Sequence, residues 1–211
     1  MGFYKIWHFT SIAMKRILYI VLFMVSVTTV MGQSVMRSGV IEFEKKVNRY
    51  ALAKKSNMPA SVFESYKNTI PQFFTSQNTF QFANGKSLYA SFQNLGAIEM
   101  FTSRDPFPFA GQSSTVYTDH VKQLSTSAKQ LYDKEILIQD SVAPIKWKLT
   151  NEFREVAGYS CRRANGLILD SVYVVAFYTN EIHFSGEPET FNGLPGMILE
   201  VVLPHYHVSW T

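Results

Sequence analysis

Short segments rich in β-branched and aromatic residues recur through the second half of the chain, with turn-forming residues between most of them. This alternation is typical of antiparallel meanders, whereas parallel sheets need helices between their strands. The turn signals include Asp140-Ser141, Ala157-Gly158 and Asn165-Gly166. The predicted strands are residues 115–118, 121–126, 130–133, 135–139, 145–152, 153–156, 159–164, 171–179, 197–203 and 206–210.

The first half of the chain adds a strand, a helix and a hairpin. Residues 38–47 alternate apolar and charged side chains, as in a strand with one face in water. Asn84-Gly85 favours a type I′ turn between strands at 79–82 and 87–89. Between Pro59 and Pro71, helical spacing relates the apolar residues Val62, Phe63, Tyr66 and Ile70.

These elements predict a mainly β (α+β) fold. We expect a curved antiparallel sheet, or half-barrel meander, that holds one amphipathic helix on its concave face. The pattern is similar to bacterial lipoprotein carriers of the LolA type, which is an argument by analogy only. Residues 94–114 predict a long loop that presents Phe107 and Phe109. This aromatic pair either docks a partner or anchors an ordered flap on the domain.

The first 32 residues have the parts of a secretory signal peptide. Lys15 and Arg16 form the basic region, residues 17–27 form a run of eleven that is apolar except for Ser26, and the predicted cleavage site precedes Gln33. The alternative, a membrane anchor, needs about 20 apolar residues, and polar residues interrupt this run from position 26. We therefore expect export to the periplasm, outer membrane or cell surface, with no stable transmembrane span after cleavage.

The predicted mature chain, residues 33–211, suits a single β-rich domain. Met14 directly precedes the basic pair and is an alternative start, which would make residues 1–13 an erroneous extension. Cleavage would remove Lys5, Lys15 and Arg16 and no acid, leaving 17 basic against 16 acidic residues, a net charge of +1. Since no basic stripe with interleaved aromatic residues is present, we expect no nucleic-acid partner.

Cys161 is the single cysteine, so the chain has no intramolecular disulfide and its core must stabilise it. On a predicted strand, between Ser160 and Arg162, it is expected to be a small buried side chain. A nucleophilic or redox role would need a partner histidine, which the sequence does not place nearby.

A bend followed by an apolar strand stands near the end of the chain. Pro195-Gly196 suits the central positions of a type II turn, in which Gly196 would take a positive φ. Leu194, which precedes a proline, favours extended backbone. Residues 197–203 are apolar apart from Glu200 and predict a buried or half-buried strand.

Several motifs in a fixed order resemble one family. Gly193-Leu194-Pro195-Gly196-Met197-Ile198 is similar to the signature of the GLPGLI family, exported proteins of Bacteroidetes-type bacteria without an established function. Residues 147–164 and 176–182 resemble two further runs of that family. The matching positions there include Trp147, Gly158, Tyr159, Cys161 and Glu181. The resemblance covers residues 78–203 and implies a structural turn and strand at the signature.

The chain also departs from that family's pattern. Phe177 stands where the family usually has Trp, and His183 where it has Pro. The Gly-Arg that usually precedes the aromatic strand is missing around Asp170, so a role of that arginine would not transfer. Family members usually continue beyond the last strand, which leaves open whether the chain is complete at Thr211.

Two groups of residues are candidates for chemistry. His205 and His207 would lie on one face of the predicted strand at 206–210 and could bind a metal, with His183 or Glu200 as a further ligand. The alternative is that both histidines face water. Glu181, Glu187 and Glu189 are expected to form a solvated acidic loop, the alternative being a general acid and base.

The chain has no Gly-x-Ser-x-Gly, no His-Glu-x-x-His and no phosphate-binding loop. We therefore expect no cofactor and a non-enzymatic binding or accessory role in the cell envelope, with a lipid, a peptide or a partner protein as ligand. Two alternatives remain open: a metal-dependent envelope enzyme that uses His205 and His207, and a structural envelope subunit.

Overall fold

A computed structural model describes residues 38–91, 114–131, 134–142, 145–168 and 170–211. The predicted signal peptide lies outside these residues, as does the predicted 94–114 loop apart from its last residue. Met36–Thr211 form one compact unit. None of the helices in the described ranges has the length and apolar character needed to cross a membrane.

The described residues form eleven strands, two α-helices and a 3-10 turn. In chain order these are β1 (Ser38–Asn48), α1 (Arg49–Lys55), α2 (Ala60–Thr69), β2 (Phe73–Ala83), β3 (Lys86–Ser91), β4 (Ser114–Asp119), β5 (Leu124–Leu131), β6 (Lys134–Ser141), β7 (Lys146–Val156), β8 (Tyr159–Ile168), β9 (Val172–Thr179), β10 (Met197–Leu203), the 3-10 turn (Pro204–Tyr206) and β11 (Val208–Trp210).

All eleven strands belong to one sheet in the order β6-β5-β4-β3-β2-β1-β11-β10-β9-β8-β7. Every neighbouring pair is antiparallel, so the prediction of a mainly β antiparallel fold is confirmed. The short β11 lies in the middle of the sheet, where Trp210 is in register with Lys45 of β1 and Val201 of β10. The last strand is therefore paired on both sides.

The connection from β6 to β7 shows that the sheet curves strongly. These strands stand at opposite ends of the sheet order, yet only residues 142–145 separate them in the chain. Eleven strands laid flat would be about 48 Å wide, whereas such a connection spans at most about 18 Å. The sheet must bend until its two ends approach each other, although it stays open because β6 and β7 do not pair with each other over their described residues.

The helical region differs from the prediction of one helix. A helix does follow Pro59, but a second one, α1, precedes it directly after β1. Tyr66 of α2 packs in a small cluster with Ala53 of α1 and Ile70, separate from the main core. Val62, on the predicted apolar stripe, is 51% exposed. The contacts of α2 in this cluster are thus mainly with α1.

Several predicted turns and strands also differ. Asn165-Gly166 is not a turn, because both residues lie inside β8 and pair with β7 and β9. A Cβ at Gly166 would lie 2.9 Å from the Trp147 ring, so this glycine leaves room for that ring. Residues 121–123 form a turn before β5, and β7 is one strand whose register shifts between Leu149 and Phe153. By contrast, Asn84 and Gly85 have φ of 51° and 73°, as a type I′ turn requires.

Candidate functional site

The connection between β9 and β10, residues 180–196, lies across one face of the sheet, and we call it the covering segment. Its Phe184 stacks on Phe82 of β2 with 4.5 Å between ring centroids. Phe191 contacts Trp210 of β11 edge to face at 5.1 Å. Glu189 accepts an ion-paired hydrogen bond from Lys45 of β1, with Nζ and Oε1 3.1 Å apart. The segment is thus held on the three central strands.

Two carbonyl groups within the covering segment accept hydrogen bonds from neighbouring strands. The amide of Ile198 donates to the carbonyl of Gly186 over 2.9 Å. The indole N–H of Trp147, on β7, donates to the carbonyl of Asn192 over 2.8 Å. A Cβ at Gly186 would lie 2.7 Å from the Phe80 ring, so only glycine lets the segment approach the sheet this closely.

The predicted type II turn at Pro195-Gly196 is wrong. The positive φ in this stretch belongs to Gly193, at 100°, and not to Gly196. Gly196 is required for space instead, because a Cβ there would overlap the carbonyl oxygen of Thr179. The predicted strand is confirmed as β10, in which Met197 and Ile198 are buried.

A cavity of about 290 Å³ lies beside the covering segment. On β4, β5 and β6, strand register places Thr118 opposite Ser125, Ser125 opposite Asp140 and Ser127 opposite Ile138, so these residues share one face. The covering segment contributes Glu187, Thr190 and Asn192. The complete described lining is Thr118, Ser125, Ser127, Ile138, Asp140, Ser141, Val142, Ile145, Ile168, Glu187, Thr190 and Asn192.

Glu187 is the unusual member of this lining. It is 5% exposed, and none of the hydrogen bonds or ion pairs among the described residues involves it. Burial alone raises the pKa of its carboxyl group to about 8. A buried acid without a partner favours its neutral form, since no cation or donor stabilises the charge.

Other polar atoms of the lining also lack partners. Ser125 Oγ and Asn192 Oδ1 are buried without a hydrogen-bond partner in the described part of the chain. Asp140 lies on the exposed strand β6, where its Oδ1 accepts from the Ser141 amide over 2.7 Å. No Lys, Arg or His belongs to the described lining. The cavity is therefore rich in hydrogen-bond acceptors and carries two acids without a matching base.

The expectation of a solvated acidic loop is wrong for two of its three residues. Glu187 is buried and Glu189 is paired with Lys45, while Glu181 is exposed and accepts from the Ser160 amide over 3.2 Å. The aromatic residues at 184 and 191 flank this stretch in the sequence and indicate that it packs on the sheet. Nothing in the sequence places Ser125, Ser127 or Asp140 opposite it.

The candidate two-histidine metal site does not have the expected geometry, and both histidines are exposed, as in the alternative. His205 lies in the 3-10 turn and His207 follows it with a φ of 51°, so the two do not share the face of a strand. Pro204 starts this turn and prevents β10 from continuing directly into β11. Glu200 forms an ion pair with Arg154. Within the described ranges no three His, Cys, Asp or Glu residues are grouped closely enough to hold a metal ion.

The remaining motif positions lie in and around the core. Cys161 is fully buried, as expected, and burial first and Glu181 second raise the pKa of its thiol to about 11. Its thiolate is therefore disfavoured at neutral pH. Gly158, with a φ of 82°, closes the β7–β8 hairpin, and Tyr159 packs partly buried against the core. Leu194 is buried.

A serine–histidine contact that the sequence did not indicate lies between β3 and the β4–β5 turn. Ser87 Oγ and His120 Nε2 are 2.8 Å apart, and His120 also contacts the Phe184 ring. Burial lowers the pKa of His120, and the Asp119 charge partly opposes this. Ser87 is 4% exposed, so a substrate could not reach its hydroxyl group without rearrangement. This contact holds the turn in place rather than forming an open site.

Comparison with known proteins gives one partial family match. The model of a family described as "Protein of unknown function (Porph_ging)" matches residues 166–200, which contain β9, the whole covering segment and the start of β10. No curated protein matches the chain.

Two solved structures of PNGF-II resemble the fold. The structure in space group P21 has a TM-score of 0.52 at 11% identity and covers 82% of this chain and 27% of that one. The structure in space group C2 has a TM-score of 0.51 at 13% identity and covers 81% and 26%. This chain thus spans about a quarter of the PNGF-II chain, and at such identity the likeness concerns the fold alone.

Proposed function

We propose that this protein is an exported, non-enzymatic binding protein whose ligand site is the cavity beside the covering segment. The observation that carries the proposal is the position of Glu187, an unpartnered acid, 5% exposed, in the wall of a 290 Å³ cavity. A buried polar group without a partner costs about 1–3 kcal/mol. A ligand that completes its hydrogen bonds would recover that cost.

The size and polarity of the cavity favour a small polar ligand over an acyl chain. Its volume equals that of about ten water molecules. Its lining combines hydroxyl, amide and carboxyl groups with the apolar side chains Ile138, Ile145 and Ile168. Small-molecule sites combine apolar walls and a few polar groups in this way. A carrier role of the LolA type, with the curved sheet and an amphipathic helix enclosing a lipid, is the less favoured form of the proposal.

A binding role is favoured over catalysis by the groups that surround Glu187. The described lining contains no His, Lys or Cys, and no hydrogen bond joins Glu187 to a second acid. Nucleophilic catalysis needs a nucleophile and a base within hydrogen-bond reach of each other. Glu187 is instead suited to hold a ligand.

The binding site is tested by a substitution on β5 that fills the cavity. Ser127→Phe places a ring in the cavity, and Thr126→Phe, the matched control, places the same ring on the opposite face of β5. A small-molecule library is screened by chemical-shift changes of cavity residues. We expect ligands that bind the wild type and Thr126→Phe but not Ser127→Phe. The proposal fails if no compound moves cavity resonances, or if both variants bind equally.

We also infer that the protein belongs to the GLPGLI group of envelope proteins. The support is the motif order from Trp147 to Ile198 and the family match over 166–200. Sequencing the amino terminus of protein recovered from the envelope fraction tests the export step, and we expect Gln33 as the first residue. A protein that retains its first 32 residues in the cytoplasmic fraction would contradict it.

A structural envelope subunit is the second candidate, favoured by the edges of the sheet. Leu137 on β6 is 73% exposed and Phe153 on β7 is 60% exposed. Apolar side chains on unpaired edge strands offer a surface for another chain. Under this hypothesis the edges bind a neighbouring subunit, and charged substitutions there would abolish assembly without affecting the cavity.

A further inference from the structure

We propose that the ligand of this cavity carries an ammonium group that binds at Glu187, an inference that rests on the proposed binding function. Two acids, Glu187 and Asp140, belong to the described lining, and Lys, Arg and His are absent from it. An anionic ligand would meet these acids without a cation to offset them. A cation is the ligand class that fits two acids without a basic partner, because it stabilises their ionised forms.

The unpartnered atoms of the cavity match an ammonium group in number and kind. Such a group donates three hydrogen bonds and accepts none. Ser125 Oγ and Asn192 Oδ1 are acceptors in the lining that the described residues leave without a donor. The carboxyl group of Glu187 takes part in none of the hydrogen bonds or ion pairs among those residues. Hydrogen bonds between ionised partners are about twice as strong as neutral ones. A hydroxyl ligand would use some of these acceptors but would not stabilise the ionised form of Glu187.

The described groups that line the cavity with Glu187 include no base that could stabilise its ionised form. Strands β4 and β5 face the cavity with hydroxyl groups, Ile145 and Ile168 are apolar, and the acid contributed by β6 is Asp140. Lys45, the basic residue bound to the covering segment, pairs with Glu189 instead. His120 contacts Ser87 and Phe184. No charged group of opposite sign is therefore placed in the described lining before a ligand binds.

Binding should then release a proton. Burial keeps Glu187 mostly protonated below pH 8 in the free protein, because its pKa is raised to about 8. An ammonium group stabilises the ionised form, so affinity should rise with pH up to that value and level off above it. Between pH 6 and pH 8 the expected increase is about 50-fold, since each pH unit below the pKa costs nearly tenfold.

The test uses four probes with the same four-carbon chain: 1,4-diaminobutane, 4-amino-1-butanol, 1,4-butanediol and succinate. Their affinities for the purified protein are measured by isothermal titration calorimetry at pH 6, 7 and 8, in buffers of different ionisation enthalpy. We expect the two amines to bind, with proton release and with affinity rising with pH. The diol and the dianion should bind at least tenfold more weakly.

Variants assign the effect to Glu187. Glu187→Gln should weaken amine binding at least tenfold and abolish its pH dependence. Glu135→Gln, on the opposite face of β6 from Asp140, removes one charge outside the cavity and should leave both unchanged. Thermal unfolding of each variant confirms that it folds.

The outcomes separate this inference from the proposed function. If the diol binds as well as the amines, or if Glu187→Gln binds them unchanged, the ammonium inference is wrong and the binding cavity stands. If none of the four probes binds but Ser127→Phe abolishes other ligands found by screening, the inference again fails alone. If the screen also finds nothing, both fail.

Discussion

At the scale of single residues, the structure assigns different tasks to glycines that look alike in the sequence. Gly158 takes a φ of 82° in open space, whereas Gly196 lacks a positive φ and lies directly against Thr179. The first glycine is needed for its backbone conformation and the second for the space it leaves. Each requirement predicts its own response to substitution.

Gly196→Ala should lower the free energy of unfolding by about 3 kcal/mol, because the methyl group overlaps the Thr179 carbonyl oxygen and forces β9 and β10 apart. Gly158→Ala should cost about 1 kcal/mol, the strain of a left-handed alanine. Urea denaturation measures both. Asparagine variants distinguish backbone conformation from lack of space, because asparagine tolerates a positive φ but is larger than alanine. Gly158→Asn should leave the free energy of unfolding nearly unchanged. Gly196→Asn should lower it at least as much as Gly196→Ala. Equal losses at the two sites would contradict the assignment.

The buried carboxyl group of Glu187 should make the free energy of unfolding depend on pH. Its pKa rises from 4.5 in the unfolded chain to about 8 in the folded protein, so the folded state binds the proton more tightly. The stability that this proton gives is complete below pH 4.5 and is lost as pH rises to about 8. Glu187→Gln removes this loss. The variant should match the wild type near pH 4.5 and exceed it on the order of 3–5 kcal/mol near pH 8.

Denaturation curves from pH 4.5 to 9 check this, with Glu135→Gln as the exposed control that should follow the wild type. A stability difference for Glu187→Gln that does not change with pH would show that the carboxyl group is ionised in the folded protein.

At the scale of elements, the hairpins show how well local sequence predicts a turn. Asn84-Gly85 and Ala157-Gly158 both form turns, and all four residues have a positive φ. Asn165-Gly166 has the same composition as the first pair but lies within β8, because Trp147 occupies the space beside Gly166. The same local pattern thus gives a turn or a strand depending on its tertiary neighbours.

Ala157 is the weak residue of the β7–β8 hairpin. It adopts a φ of 51°, which is unfavourable for alanine and tolerated by asparagine. Ala157→Asn should therefore raise the free energy of unfolding by about 1 kcal/mol, and Ala157→Val should lower it. Thermal unfolding measures both changes. A less stable Asn variant would mean that the turn is not held in the type I′ conformation.

At the scale of the whole molecule, the open sheet has two edges with apolar side chains. Leu137 on β6 is 73% exposed, and β6 is exposed along its whole length. Such an edge can pair with another chain.

Leu137→Lys should reduce concentration-dependent association without changing stability, as measured by sedimentation velocity. Val121→Lys is the matched control, since Val121 is 79% exposed but lies in a turn. If both variants, or neither, reduce association, then β6 is not the surface responsible.

Local sequence patterns are enough to predict the strand-rich antiparallel character of this protein, its opening strand, β10 and two of its hairpin turns. Those features depend on periodicity and on residues close together in the chain. Three features follow from the folded chain alone: two acids of the covering segment are buried or paired, His205 and His207 lie outside the strand, and Glu187 and Ser125 line the same cavity. These depend on how eleven strands are ordered and how strongly the sheet bends, which brings together residues far apart in the chain.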